Sequence, residues 1–356
     1  MAEPILSVQD LQQHFHRRKG FLKRETTTVR AVDGVSFDLI EGETLGLVGE
    51  SGCGKSTTGR AIVGAYRPTA GSALYRCTDG RTIDLVQADP AARRAMFSEI
   101  RLVFQDPQSS LNPRMRVIDI VGEPLRNFGL ASGAQLRERV GQLLAQVGLR
   151  PEYIDRYPHA FSGGERQRIG IARAIATRPR LLIADEAVSA LDVSIRAQIL
   201  NLLVELLASL GLTYLFISHD MSVVRRIASR VAVMYIGRIV EIAPTADIFR
   251  QPLHPYSRAL LSAVPDVNRP KSAHTRRIRL TGEVADPANP PSGCHFHPRC
   301  PFASDRCRTE APVLRRIAGS GEVACHHAEE IAATGPAIAS AQPVISQEGT
   351  RLWTTV

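Results

Sequence analysis

Apolar and polar positions along the chain follow two periods in turn, and each switch between them marks an element. Residues 5–15 alternate as in a strand, and a polar, basic stretch follows as far as Thr28. Val35-Ser36-Phe37-Asp38-Leu39 alternates again and stops at the turn Glu41-Gly42-Glu43. Short continuous apolar runs then recur at 44–49, 181–184 and 213–218, with the length and composition of strands buried on both faces. Between them apolar residues return at helical spacing. Leu136, Val140, Leu143, Leu144 and Val147 predict one helix within 134–148, and Ile195, Ile199, Leu202, Leu203 and Leu206 a longer one. Strands alternating with helices predict an α/β fold whose parallel sheet carries helices on both faces. Near Arg230 the period falls back to two on either side of Gly237, which predicts a hairpin.

The pattern changes after Pro265. Pro, Gly, Arg and Cys dominate as far as His327, and from Glu329 onward Ala, Ser, Thr and Gln prevail without periodicity. This divides the chain into a main domain over 1–265, a small extension over 266–328 and a tail over 329–356 that is expected to be disordered. No stretch of 18 or more apolar residues is evident. The greasiest run, 199–210, is broken by Asn201, Glu205 and Ser209 and is expected to be a helix of a soluble protein. Met1-Ala2-Glu3-Pro4 lacks the basic-then-apolar order of a secretory leader, so cytoplasmic residence is expected.

Composition adds little to the fold but narrows the partners. The 356 residues are 44% hydrophobic and carry a formal net charge of +9, a balance that favours anionic partners. Two basic clusters stand out, His16-Arg17-Arg18-Lys19 with Lys23-Arg24, and Arg276-Arg277-Ile278-Arg279. Neither is interleaved with aromatics that could stack on bases, so no nucleic-acid partner is expected.

The chemistry begins where the third strand, 44–49, ends. Gly49-Glu50-Ser51-Gly52-Cys53-Gly54-Lys55-Ser56-Thr57 follows an apolar strand and opens a helix, which is the context of a phosphate-binding loop. Its glycines let successive backbone N–H groups point inward at phosphates, and the helix adds its positive dipole end. Lys55 supplies a point charge at the β/γ positions and the Ser56 hydroxyl a ligand for Mg²⁺. The run 181–184 leads into Asp185 and Glu186, a strand ending in two carboxylates. Asp185 is placed to hold the magnesium through water and Glu186 to polarise an attacking water as general base.

Phe161-Ser162-Gly163-Gly164-Glu165-Arg166-Gln167-Arg168 resembles the signature sequence of ABC ATPases, at the family's distance before Asp185. Gln105 in Leu102-Val103-Phe104-Gln105-Asp106 resembles the Q-loop glutamine, which senses Mg²⁺. Ser189-Ala190-Leu191-Asp192 resembles the D-loop, and His219 in Ile217-Ser218-His219-Asp220 the switch histidine that contacts the γ-phosphate. The resemblance implies an ATP-hydrolysing P-loop NTPase with a RecA-like core, an antiparallel β subdomain and a helical signature subdomain. It also implies that Ser162, Gly163 and Gly164 form a second anion cradle, closing on the nucleotide held by a partner's phosphate loop. There are no internal repeats, so the second cassette comes from another chain. Two departures stand out: Glu165 replaces the usual Gln, leaving the backbone donors unaffected, and Ala187 replaces a common Pro. Phe15 and Phe21 are the candidates for stacking on adenine.

The resemblance sharpens to the ATPases of bacterial oligopeptide and dipeptide importers, with their nickel and glutathione relatives, over about residues 1–328. Its carriers are Ala31-Val32-Asp33-Gly34-Val35-Ser36-Phe37, the run Phe104-Gln105-Asp106-Pro107-Gln108-Ser109-Ser110-Leu111-Asn112-Pro113, and His254-Pro255-Tyr256-Ser257-Arg258-Ala259-Leu260-Leu261. The C-terminal run Gly293-Cys294-His295-Phe296-His297-Pro298-Arg299-Cys300-Pro301, with Cys307 and Ala324-Cys325-His326, belongs to the same group. The insertion before Ala31 is similar to that of the second ATPase of such pairs. This implies a peripheral subunit on the cytoplasmic face of the inner membrane, working with another ATPase, two permease subunits and an extracytoplasmic binding protein. Cargo is implied only by analogy, with peptide first and nickel or glutathione as alternatives. Rival classes are a soluble ABC protein acting on ribosomes or DNA, and a nucleotide-binding regulator without turnover. The first needs paired cassettes or a coiled-coil insertion; the second would lack Glu186 or His219.

Six cysteines are unevenly spread, and Cys294, Cys300, Cys307 and Cys325 crowd the extension. In a reducing compartment such crowding suggests metal before disulfides. Four thiolates suit Zn²⁺ or a [4Fe–4S] cluster, and the spacing leaves unpaired thiols open as well. The resemblance favours the cluster. His295, His297, His326 and His327 are spare donors, expected at the surface.

Overall fold

The computed structural model describes residues 3–19, 25–106, 110–264, 278, 280–283, 285–317 and 321–333. Phe21, the boundary at 265/266 and nearly all of the tail lie outside them. The chain opens with two long strands, β1 (Pro4–Lys19) and β2 (Glu25–Ile40), then β3 (Thr44–Val48) and α1 (Lys55–Ile62). Next come β4 (Ala70–Arg76), β5 (Thr82–Asp84), α2 (Pro90–Met96) and β6 (Ile100–Val103). Three helices follow, α3 (Val117–Asn127), α4 (Gly133–Gln146) and α5 (Gly163–Ile175). The chain then runs through β7 (Leu181–Asp185), α6 (Val193–Leu210), β8 (Thr213–Ser218), α7 (Met221–Ile227), β9 (Arg230–Tyr235) and β10 (Arg238–Pro244). It ends with α8 (Thr245–Arg250), α9 (Pro255–Ser262), α10 (Asp305–Thr309), β11 (Arg315–Ile317), β12 (Gly321–Val323) and α11 (Ala328–Ala333).

One sheet has the order β11-β12-β10-β9-β3-β8-β7-β6, and a second the order β2-β1-β4-β5. In the larger sheet β9, β3, β8, β7 and β6 run parallel, with β10, β12 and β11 added antiparallel at one edge. The three apolar runs are its central strands, and period-two alternation assigns their two faces. Leu182, Ala184, Tyr214, Phe216, Val231 and Val233 turn to the core shared with α3 to α6. Leu45, Leu47, Ile183, Leu215, Ile217 and Met234 turn the other way, onto Ile5, Leu6, Val8, Leu11 and Val35 of the four-stranded sheet and onto Ala61 and Ile62 of α1. The second face is therefore covered by a sheet together with α1, not by helices alone as the alternation of elements suggested. Each fully buried Leu or Ile here stabilises the fold by roughly 1.5–3 kcal/mol over exposure.

Helix α6 is long and apolar enough to cross a membrane by length and composition, with a mean hydropathy of 1.5 over 18 residues. Its stripe Ile199, Leu202, Leu203 and Leu206 is nonetheless packed into the core, as the interrupting polar residues suggested.

Three elements differ from expectation. The basic stretch after residue 15 continues β1, pairing Arg17 with Thr27 and Lys19 with Glu25. The extension is not a separate layer: β12 pairs with β10, Glu241 opposite Val323, so it lengthens the main sheet. The start of the expected tail is ordered. Residues 329–333 belong to α11, whose Ala328 and Ile331 are buried beside Leu253, Val323 and Cys325.

Candidate active site

The phosphate loop joins β3 to α1, and its backbone is fixed by close approach. Gly54 has φ +109°, and a Cβ there would lie 2.0 Å from the Ala31 carbonyl oxygen, so only glycine fits. Lys55 is 4% exposed and curls back into the loop, its Nζ donating to the Gly49 and Glu50 carbonyls at 2.9 Å each. Cys53 is buried beside it, its thiol pushed up by burial. Ser51 and Gly52 are exposed at the mouth, and Thr57 is half-buried on the first turn of α1.

Ser56 Oγ donates to Asp185 Oδ1 at 2.5 Å, joining the loop to the end of β7. The other Asp185 oxygen lies 3.3 Å from Arg60 Nη2, one turn along α1. Sequence spacing did not single out Arg60. Its signal is positional, because a residue four after Ser56 shares its face of the helix.

Glu186 follows Asp185 with a left-handed φ of +48°, and its backbone N–H donates to the Ile217 carbonyl at 3.0 Å. Gln105 Nε2 donates to Glu186 Oε2 at 2.8 Å, and His219 Nδ1 stands 3.4 Å from Oε1. The glutamate is 13% exposed and the histidine 53%. Residues from four separate segments are thus brought to one end of the parallel sheet, beyond the C-terminal ends of its strands.

The signature residues stand elsewhere, at the start of α5. Ser162 is its N-cap in a full capping box with Glu165. Ser162 and Gly163 are exposed, whereas Gly164 is buried against α6, where a Cβ would fall 2.5 Å from Ile195 Cγ2. The Glu165 side chain reaches Ser162. Its Oε2 accepts the Ser162 N–H at 2.9 Å and the Ser162 hydroxyl at 2.8 Å, so the hydroxyl of the expected cradle is engaged by the substituted residue itself. Asp192 is exposed at the start of α6. Ala187, which stands where a proline is common in the resembled family, is buried at 1% exposure and packed in the core. Phe15 is 36% exposed and packs edge-on against Tyr66 at 5.3 Å.

The cysteines of the extension form no closed ligand set. Among the described residues no group of three or more His, Cys, Asp or Glu side chains is arranged to hold a metal ion. All four are free thiols. Burial pushes Cys300 and Cys325 up to about 12, with the other cysteines of the set adding to the shift. Each of the four histidines has at least one ring nitrogen engaged. His295 meets the Ile236 carbonyl at 3.2 Å, His297 that of Cys294 at 3.0 Å, His326 that of Glu310 at 3.0 Å, and His327 the Ser304 hydroxyl at 3.0 Å.

A phosphate loop opening α1, two acids closing β7 and a signature turn opening α5 define an ATP-binding cassette. Comparison with known proteins agrees. Residues 32–189 match the ABC transporter family, and residues 240–307 match the oligopeptide/dipeptide transporter C-terminal region. Over 324 residues the chain is 49% identical to the oligopeptide transport ATP-binding protein AppF of Bacillus subtilis, covering 91% of this chain and 97% of that one. It is 47% identical to the di/tripeptide transport ATP-binding protein DppF of Pseudomonas aeruginosa, covering 92% of this chain and 99% of that one. Among solved structures, the cassette MJ0796 in a dimeric post-hydrolysis state with ADP and phosphate aligns with a TM-score of 0.57 at 26% identity. That alignment covers 67% of this chain and 98% of the other. CbiO1 of Clostridium perfringens aligns equally well, at 27% identity over 69% of this chain and 91% of that one. The chain belongs to the ABC transporter family as an ATP-hydrolysing subunit.

Proposed function

We propose that this subunit hydrolyses ATP to drive import of peptides across the cytoplasmic membrane, sitting peripherally on the cytoplasmic face. The observation that carries the reading is the meeting of Ser56 with Asp185 and of Gln105 and His219 with Glu186 at one end of the sheet. Similarity to oligopeptide and di/tripeptide transport proteins supports peptide as cargo, ahead of nickel or glutathione. Its partners are a second cassette, two permease subunits and an extracytoplasmic binding protein.

The hydroxyl of Ser56 and the carboxylate of Asp185 are hard oxygen donors that fit Mg²⁺, with Gln105 as a further oxygen donor. When bound, the ion supplies charge neutralisation at the β- and γ-phosphates. Lys55 exchanges its two carbonyl partners for phosphate oxygens, and the N–H groups of residues 49 to 57 line the phosphates. Gln105 and His219 let go of Glu186 as they engage the γ-phosphate region, and Glu186 then takes the proton of the attacking water. Ser162, Gly163 and Gly164 complete the site of the facing cassette, with Asp192 crossing the seam. Both cradles hold one γ-phosphate only while it is there, so its loss lets the cassettes part.

In the extension, Cys294, Cys300, Cys307 and Cys325 are read as ligands of a [4Fe–4S] cluster, with Zn²⁺ the alternative, on residue type and their crowding in the sequence. Iron and acid-labile sulfide in anaerobically purified protein would support the cluster. Zinc alone, or no metal, overturns it. The domain reading keeps the cassette at 1–265 and the extension at 266–328.

The test of function is the assembled transporter in vesicles. Peptide-loaded binding protein should stimulate phosphate release and drive peptide inward. Stimulation by nickel or glutathione and not by peptide overturns the cargo.

A further inference from the structure

We propose that Arg299 is a positioning residue that holds the phosphate loop in place from the C-terminal extension. The proposal rests on the reading of residues 49–57 as the nucleotide site. Arg299 and Glu50 are 249 residues apart in sequence, yet Arg299 Nη1 donates to Glu50 Oε2 at 2.9 Å. Its Nη2 donates to Oε1 at 3.3 Å, so guanidinium and carboxylate meet as two forks. The arginine is 8% exposed and the glutamate 27%, which shields the pair from water and salt.

Glu50 is the second residue of the loop, and three restraints converge on it. Its side chain takes Arg299, its N–H donates to the Tyr256 hydroxyl at 2.7 Å, and its carbonyl accepts Lys55 Nζ at 2.9 Å. Arg299 is itself anchored. Its N–H donates to the Phe296 carbonyl at 3.0 Å, and its Nη1 reaches the Tyr235 hydroxyl at 3.5 Å. Phe296, at 1% exposure, packs edge-on against Tyr235 at 5.2 Å and tilted against Tyr256 at 5.5 Å. The segment between Cys294 and Cys300 therefore reaches the loop through a rigid aromatic cluster, and the arginine is the polar end of that contact. Arg299 has a second effect through charge. It neutralises a carboxylate on a loop that must accept a polyanion, and without it Glu50 repels the phosphates.

The test is a titration of the full-length chain with a fluorescent ATP analogue and Mg²⁺, alongside KM and kcat in the assembled transporter. Arg299→Ala should raise the dissociation constant and KM about fivefold or more with kcat largely kept, the size of a typical coupling between adjoining sites. Arg299→Lys, which keeps the charge and loses the fork, should recover part of the affinity. The double variant Arg299→Ala with Glu50→Gln should bind no worse than Arg299→Ala, because both substitutions break one interaction. If Arg299→Ala melts early, Arg299→Lys alone serves, since it keeps the charge and loses the fork. Unchanged affinity in a folded Arg299→Ala or Arg299→Lys chain, or a double variant that binds worse than Arg299→Ala, would overturn the proposal. Lys55→Ala separates this from the parent reading: wild-type binding in that variant would remove the nucleotide site itself.

Discussion

Gln105 Nε2 donates to Glu186 Oε2 at 2.8 Å, while the other oxygen of that carboxylate faces His219. The two residues expected to sense nucleotide thus hold the proposed base between them. A carboxylate so engaged has fewer free lone pairs for a water, which links hydrolysis to the movement of both neighbours. Gln105→Ala should lower kcat by about tenfold or more while nucleotide affinity changes less, because the side chain does not touch the phosphate loop and, once it releases Glu186, serves the Mg²⁺ and γ-phosphate region where the water attacks. Phosphate release and analogue titration on the same preparation check both halves.

Glu165 makes a second prediction at the signature turn. Its carboxylate engages both donors of Ser162 and would face the γ-phosphate of the partner's nucleotide with like charge. Glu165→Gln keeps a capping side chain and removes the charge. The ATP concentration for half-maximal hydrolysis should fall about two- to fivefold, as expected for one exposed charge interaction. An unchanged or higher value would mean that Glu165 swings clear before the cassettes meet.

At Gly164, packing decides. A Cβ there would lie 2.5 Å from Ile195 Cγ2, so Gly164→Ala should push the start of α5 off α6 and cost more than about 1 kcal/mol through overpacking. Hydrolysis should fall with it. Adding Ile195→Ala, which clears the space, should restore part of both, read by melting temperature and phosphate release.

Much of this site was legible in the chain, for reasons that differ by element. The runs at 44–49, 181–184 and 213–218 are apolar on both faces because β3, β7 and β8 are central strands, a pattern few other elements share. Phosphate loop, acids and signature are local in sequence, so spacing could carry them. The basic continuation of β1 was not legible, since residues 16–19 show no apolar alternation and are ordered by pairing with β2. Helix α11 is six residues long, too short for a period to register, and it forms by docking Ala328 and Ile331. The contacts Arg60–Asp185 and Arg299–Glu50 join residues distant in sequence, and no motif announces them.

His254 makes stability depend on pH. It is buried, its Nδ1 accepts the Tyr256 N–H at 3.1 Å, and burial holds its pKa down to about 3 against an ordinary 6.5. Between those values the unfolded chain binds the proton and the folded chain does not. Stability is therefore complete above pH 6.5 and is lost as pH falls, by about 2 kcal/mol at pH 5. Melting temperatures at pH 8 and pH 5 should differ accordingly. His254→Asn, which keeps an acceptor and cannot titrate, should flatten the dependence.

The most direct trial of the central claim is ATP occlusion in the assembled transporter carrying Glu186→Gln. The cassettes should close on ATP and keep it unhydrolysed, with phosphate release down by about 100-fold or more. Hydrolysis at the wild-type rate, or cassettes that never retain nucleotide, would contradict it.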